Sequence, residues 1–98
     1  MIFDIEWTSE AQSDFASIDD FYAEIAPDYA TRVGRLALKA AIYLAQHPTI
    51  GSLIDDSDYV RKWRVGRTAF LLIYRAKESR LQILRIRHMA ENWKEGAL

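Results

Sequence analysis

The sequence predicts an α+β domain in which a helical hairpin packs on one face of a largely antiparallel four-stranded sheet, in the order β-α-α-β-β-β. Three observations support this fold class: an alternating segment at the start, two amphipathic helical repeats after it, and three strand-like segments in the second half. At 98 residues, half of them apolar, residues 1–98 can form one hydrophobic core but not two.

The first segment, residues 2–7, alternates apolar and acidic side chains, which is the period of a half-buried strand. A helix then begins at Thr8 or Ser9, because Ser9 and Gln12 fit a capping box. Its apolar stripe is expected to comprise Ala11, Phe15, Ile18, Tyr22 and Ile25. The acidic residues off this stripe are expected to face solvent or a partner; they are Asp14, Asp19, Asp20 and Glu24. Pro27 disfavours helical geometry at the residue before it and ends this helix.

The second helix is predicted over residues 28–46, with a short link that makes an antiparallel hairpin with the first. Its inner stripe is rich in small residues and contains Ala30, Val33, Ala37, Ala40 and Leu44. Pro48 and Gly51 close this half of the chain, and residues 52–58 are expected to form a polar loop.

Three strands complete the prediction. Residues 60–65 alternate, Gly66–Arg67 suits a two-residue hairpin turn, and residues 68–74 are apolar on both faces, as in a central strand. Residues 76–80 form the next turn, and strict alternation over residues 81–87 places Gln82, Leu84 and Ile86 on one face. Residues 89–96 form a short tail with a helical turn anchored by Trp93. The predicted core contains Phe15, Ile18, Tyr22, Val33, Leu44, Trp63, Leu72 and Ile86.

Charge is strongly segregated along the chain. Residues 1–58 carry about −8 and residues 59–88 about +8, although the net charge is only −1. Such asymmetry indicates an acidic or polyanionic partner for the basic half, and mutual neutralisation of the two halves within the fold is the alternative.

Several functional classes find no support in the sequence. There is no cysteine, and the two histidines, His47 and His88, lie far apart, so neither a metal site nor a cofactor is expected. No apolar run is long enough to span a membrane and residues 1–7 do not resemble a signal peptide, so the default expectation is a cytoplasmic protein.

The basic half contains the candidate functional residues. Clustered Arg and Lys side chains can bind phosphodiester groups and stabilise charge at a scissile phosphate, and a nearby His can act as general acid or base. For a nuclease, the candidate catalytic residues are Arg61, Arg64, Arg85 and His88. For binding a partner, the candidates are Arg61, Arg64, Arg67, Arg85, Arg87 and Trp93. In a regular last strand His88 shares the face of Leu84 and Ile86 rather than that of the arginines, which argues against a simple His–Arg site. A solvated or salt-bridged surface is the alternative for these arginines, and core packing is the alternative for Trp93.

Four segments together resemble the RelE/ParE toxin superfamily, and especially its ParE, or plasmid-stabilisation, branch. They are WTSEAQSDF, ALKAAIYLAQHPTIG, RKWRVGRTAFLLIY and LQILRIRHMAENW. The resemblance implies a bacterial type II toxin that is neutralised by a cognate antitoxin, whose C-terminal segment wraps the toxin.

The superfamily contains two mechanisms: RelE-like members cleave mRNA on the ribosome, and ParE-like members inhibit DNA gyrase. RelE-like nucleases commonly place a Tyr after the final-strand His and use several lysines before the central strands, whereas this chain has Met89 and only Lys62. The resemblance therefore favours a gyrase inhibitor that is not an enzyme. A ribosome-dependent endoribonuclease and an inactive or divergent homologue are the alternatives.

Overall fold

The computed structural model describes residues 2–54 and 57–90 of the chain. Its elements are β1 (Asp4–Trp7), α1 (Ser9–Tyr22), α2 (Pro27–Gln46), β2 (Ser52–Leu53), β3 (Arg61–Arg64), β4 (Phe70–Lys77) and β5 (Arg80–His88). They confirm the α+β class and the order of the predicted helices and strands.

The sheet has five strands in the order β1-β5-β4-β3-β2. β1 pairs with β5 in parallel, and every other neighbouring pair is antiparallel. The strand beyond the four expected from the sequence is β2, where Ser52 pairs with Lys62 and Leu53 with Arg61. Two residues are too few for an alternating pattern to be visible, so the sequence predicts only a loop in this segment.

The start of α1 is fixed by Thr8 rather than by Ser9. The Thr8 hydroxyl accepts a hydrogen bond from the Ala11 N–H (3.2 Å), as an N-cap residue does. Gln12 Nε2 donates to the Trp7 carbonyl (2.9 Å) and so fastens the helix to the end of β1. The capping box predicted from Ser9 and Gln12 is wrong by one residue, and Ser9 is the first helical residue.

The hairpin of α1 and α2 turns at residues 23–26. Pro27 occupies the first turn of α2, where its missing N–H is not needed. α1 ends at Tyr22, so Ile25 lies beyond the helix and is 69% exposed; its predicted place on the apolar stripe is wrong.

The core lies between the helical hairpin and one face of the sheet. All five residues of the predicted α2 stripe are buried, and all of them except Ala30 belong to the core cluster, together with Ala41 and Ala45. The small side chains let the helix approach the sheet closely. Of the eight predicted core residues, Ile18, Val33, Leu44, Leu72 and Ile86 are buried, and Phe15, Tyr22 and Trp63 are partly buried and pack against the same cluster.

A bulge in β5 breaks the strict alternation predicted for this strand. Ile73 pairs with Arg85 and Tyr74 pairs with Ile83, so Leu84 has no partner on β4. As a result Ile83 and Ile86 both face the helices and belong to the core. The sequence placed them on opposite faces because it carries no sign of the inserted residue.

The β3–β4 and β4–β5 connections both contain residues with positive φ. In the β3–β4 connection, Gly66 (φ 50°) and Arg67 are the central residues of a turn closed by the Thr68 N–H on the Val65 carbonyl. The strand resumes only at Phe70, so the loop is longer than the two residues predicted. Between β4 and β5, Glu78 and Ser79 form a two-residue turn with φ of 53° and 63°.

Within the part of the chain that the structure describes, no helix is both long and apolar enough to cross a bilayer.

Candidate functional site

The side of the sheet turned away from the helices, here called the helix-free face, gathers cations from three strands. Cross-strand neighbours share a face, so the register gives its rows directly. In one row Leu71 lies between Arg64 and Arg87, and in the next Ile73 lies between Lys62 and Arg85. Ile73 is fully buried yet lies outside the main core cluster, as expected for the opposite side of the sheet. The predicted basic face is therefore present, built around an apolar centre.

Arg61 does not belong to this face. It pairs with Tyr74, which faces the helices, and its Nη1 donates to the Gly51 carbonyl (2.7 Å). The Gly51 N–H donates to the Tyr74 hydroxyl (2.9 Å), and that hydroxyl donates to the Pro48 carbonyl (3.1 Å). Arg61 thus helps to fix the connection after α2 against the sheet.

The Tyr74 hydroxyl lies in the interior of this network. Burial raises the pKa of Tyr74 above its ordinary value, because the phenolate loses hydration. The hydrogen bond from Gly51 and the positive charge of Arg61 act in the opposite direction and only partly offset the effect of burial. The hydroxyl is therefore neutral at physiological pH and serves as a donor and an acceptor.

Arg85 is held at the edge of the sheet by Asp14. β1 accompanies β5 only as far as Ile83, and beyond that point α1 covers the edge of β5. The Asp14 carboxylate accepts hydrogen bonds from Arg85 Nε and Nη2 and from the Ile86 N–H, each at 2.9 Å. The carboxylate is largely buried, with its side chain 15% exposed, which makes this a strong charge-assisted pair. The expectation that Asp14 faces solvent or a partner is wrong.

His88 lies on the helix side of the sheet. Its ring packs edge-on against Phe70 (5.2 Å between centroids), and its Nδ1 accepts a hydrogen bond from the Ala90 N–H (3.0 Å). With Phe70 it lines a mostly apolar cavity of about 330 Å³, whose other walls are Ser17, Ile18, Phe21 and Tyr22. His88 shares the face of Ile86 and not that of Arg87, as the sequence predicted; Leu84 differs from that prediction because of the bulge.

The four candidate catalytic residues are consequently held in different places. Arg61 pairs opposite Tyr74 and His88 opposite Phe70, which are four residues apart on the strand between them. At about 3.3 Å per residue and about 4.8 Å between strands, their Cα atoms are roughly 16 Å apart. Arg64 lies on the helix-free face with its Nε on the Thr68 carbonyl (2.9 Å), and Arg85 is paired at the sheet edge.

Of the candidate partner-binding residues, Arg64 and Arg87 share a row of the helix-free face, and Arg67 is exposed in the turn at its end. Trp93 lies outside the described residues. Sequence reasoning did not single out Asp14, Gly51 or Tyr74; an Asp at one position of an acidic helix and a Tyr in an apolar strand give no signal of their partners. The described residues include no group of three or more His, Asp or Glu side chains arranged to hold a metal ion.

Comparison with known proteins places this geometry in a family. Residues 5–93 match the family model described as the ParE toxin of the type II toxin-antitoxin system parDE. The chain belongs to the ParE toxin family. The match spans both helices and every strand except the first residue of β1.

Solved structures from two toxin-antitoxin systems have the same fold. A chain described as the chromosomal ParDE toxin-antitoxin system of P. aeruginosa is 26% identical, with a TM-score of 0.74, and the alignment covers 89% of this chain and 96% of that one. A chain of the RelBE2 toxin-antitoxin complex of Mycobacterium tuberculosis is 19% identical, with a TM-score of 0.64, and covers 90% and 99%. At that identity the second likeness concerns the fold alone. No curated protein matches the sequence significantly.

Proposed function

We propose that this ParE-family protein is the toxin of a type II toxin-antitoxin module, that it inhibits DNA gyrase, and that a cognate antitoxin neutralises it. Such a module fits plasmid or chromosomal stabilisation, and its target and its antitoxin both place the toxin in the cytoplasm. Gyrase inhibition requires a binding surface but no acid–base pair, so the protein acts without being an enzyme.

One observation carries the preference for gyrase over mRNA cleavage: Arg85 is bound through two nitrogens by the largely buried Asp14. If this protein were a nuclease, Arg61, Arg64, Arg85 and His88 would have to lie within a few ångströms of one phosphate. Releasing Arg85 would leave the largely buried Asp14 carboxylate without its cation, at a cost of about 3 kcal/mol. The Cα atoms of Arg61 and His88 are about 16 Å apart, and the Arg61 guanidinium is already bonded to the Gly51 carbonyl.

The antitoxin is proposed from the family and from the surface. The matching family model describes the toxin of a type II toxin-antitoxin system, and the solved structure that is 26% identical is described as a ParDE toxin-antitoxin system. In this chain the rows Arg64–Leu71–Arg87 and Lys62–Ile73–Arg85 combine cations with apolar side chains. Such a surface suits an acidic segment that folds as it binds. We assign the antitoxin contacts to Arg64, Arg67 and Arg87. The other candidates that the sequence predicts are Arg61, Arg85 and Trp93.

The experiment that tests the target is induced expression with two readouts: supercoiling by purified gyrase and cleavage of mRNA on translating ribosomes. We expect inhibited supercoiling and no cleavage. Codon-positioned cleavage that Arg85→Ala or His88→Ala abolishes would instead establish a ribosome-dependent endoribonuclease. Folded protein that neither arrests growth nor affects either readout would establish an inactive homologue.

The antitoxin is tested separately by co-expression with the product of the adjacent small reading frame. We expect a co-purifying complex and relief of growth arrest. If no neighbouring product binds or relieves toxicity, the proposed partnership is wrong.

A further inference from the structure

A concavity of about 230 Å³ lies on the helix-free face beside the β4–β5 hairpin. Its walls are Arg75, Lys77, Glu78, Arg80 and Gln82. Lys77 and Arg80 are direct cross-strand neighbours, and Arg75 follows two residues along β4 on the same face. Two like charges placed directly opposite each other destabilise a sheet, and an anion between them removes that repulsion.

The guanidinium of Arg75 is oriented by the protein but not neutralised by it. Its Nε donates to Gln82 Oε1 (2.6 Å), and Gln82 Nε2 in turn donates to Glu6 Oε2 (3.1 Å). Within residues 2–54 and 57–90, no hydrogen bond or ion pair reaches the terminal nitrogens of Arg75 or the ammonium of Lys77. Arg80 is the only one of the three that has a carboxylate partner in this part of the chain, Glu6 at 3.2 Å, in an exposed pair of little net strength. Glu78 contributes one carboxylate to these walls, and with three cations the concavity keeps a net positive charge, in which Arg75 is already oriented by Gln82.

A second concavity, of about 320 Å³, adjoins the first and shares Arg75 and Lys77 with it. Its other walls are Ala76 and Tyr59, whose side chain is 58% exposed. An exposed aromatic ring beside paired cations can stack on a planar base while the cations bind the attached phosphate.

We propose that these two concavities form a nucleotide-binding site, in which Arg75, Lys77 and Arg80 bind the phosphate and Tyr59 contacts the base. The site lies at the other end of the sheet from the loop that carries Arg67. This proposal does not depend on the proposed toxin activity, because only these four side chains form the nucleotide-binding site. A phosphate bound here bridges Lys77 and Arg80 and accepts bidentate hydrogen bonds from Arg75.

The test is calorimetric titration of the purified chain at low ionic strength with AMP, adenosine, inorganic phosphate and a 5′-phosphorylated five-residue thymidine oligonucleotide. AMP is expected to bind more tightly than either adenosine or phosphate alone, and raising the salt concentration should weaken it. Arg75→Gln is expected to weaken AMP binding by about tenfold or more, the usual effect of removing a charge-assisted hydrogen bond. Tyr59→Leu should weaken AMP binding and leave phosphate binding unchanged.

Lys39→Gln is the matched control, because it removes one exposed positive charge from α2, away from this face. The thermal midpoint of each variant checks that the fold is intact. Equal AMP affinity for Arg75→Gln and Lys39→Gln overturns the proposal, as does adenosine binding as tightly as AMP. A glutamate-rich peptide that binds more tightly than AMP, with the same dependence on Arg75, would show a site for an acidic protein segment instead. Stronger binding of the oligonucleotide than of AMP identifies a nucleic-acid strand end as the source of the phosphate, and the reverse order identifies a free nucleotide.

Discussion

At the scale of single residues, Gly51 has the closest packing of the three glycines that the structure describes. A Cβ there would lie 2.5 Å from the Tyr74 hydroxyl and 2.7 Å from the Lys62 carbonyl. Since the carbonyl belongs to paired strand backbone, neither neighbour can move without breaking a hydrogen bond. Gly51 is therefore required by close packing rather than by its backbone angles.

We expect Gly51→Ala to lower the free energy of unfolding by about 2–3 kcal/mol, through overpacking and loss of the Tyr74 contacts. Gly34→Ala is the control. The added Cβ there meets only Phe15 at 3.7 Å inside α2, so that variant should gain about 0.5–1 kcal/mol of stability. Urea denaturation measures both, and a Gly51→Ala protein as stable as the wild type would refute the assignment.

Tyr74 supplies a prediction about alkaline pH. Burial raises its pKa in the folded state, so folding favours the protonated phenol. The resulting stability is fully present below the unfolded pKa of about 10 and is lost as the pH rises through the folded pKa. The free energy of unfolding should therefore fall above about pH 10.

Tyr74→Phe should abolish that part of the alkaline loss and cost about 1–2 kcal/mol at neutral pH, because the Gly51 N–H loses its acceptor. Tyr59→Phe, in an exposed side chain, should change neither quantity. The check is a series of urea titrations between pH 8 and 11. An identical pH profile for Tyr74→Phe and wild type would show that the hydroxyl has no titration linked to folding.

At the scale of secondary structure elements, the periodicity of the sequence predicts the features that depend only on neighbouring residues, such as the buried face of a helix. The α2 stripe is correct because a 20-residue helix repeats its apolar positions over several turns. The bulge at Leu84 and the two-residue β2 were missed because each depends on a partner distant in sequence. The same limit applies to the candidate site. The composition of the second half indicates where the cations lie in the sequence. Only the strand register shows that Arg61 faces the helices, and only the three-dimensional structure shows that Asp14 binds Arg85.

The β4–β5 hairpin provides a prediction about one such element. Its turn residues Glu78 and Ser79 both adopt the left-handed conformation, which is costly for residues that have a Cβ. Glu78→Gly should stabilise the protein by about 0.5–1 kcal/mol, the left-handed cost less the extra chain entropy of glycine. Thr49→Gly, in an exposed turn without positive φ, should destabilise it by a similar amount. The urea denaturation midpoints of Glu78→Gly and Thr49→Gly measure the two effects. If both midpoints shift in the same direction, the proposed strain at Glu78 is wrong.

At the scale of the whole molecule, the fold keeps the two charge segments of the sequence apart. The exposed side chains of α1 include the carboxylates of Glu10, Asp19 and Asp20, while the helix-free face carries the cations of β3, β4 and β5 other than Arg61. Among the described residues, direct neutralisation between the two segments is limited to the pairs Arg85–Asp14 and Arg80–Glu6. Within residues 2–54 and 57–90 these two pairs leave the helix-free face with cations from several strands, and a positively charged face attracts an acidic partner over distance.

The positive charge of the helix-free face leads to a prediction about how fast the proposed antitoxin associates. The double variant Lys62→Gln/Arg64→Gln removes two cations from the helix-free face without touching the core, so it should reduce the association rate by about tenfold at low ionic strength. The difference should shrink strongly near 1 M salt, where the screening length is only about 3 Å. Arg32→Gln/Arg35→Gln removes the same charge from the exposed side of α2 and should slow association far less. Stopped-flow mixing at several salt concentrations measures this. Equal rates for the two double variants would mean that net charge alone steers the encounter and that the helix-free face has no special part in it.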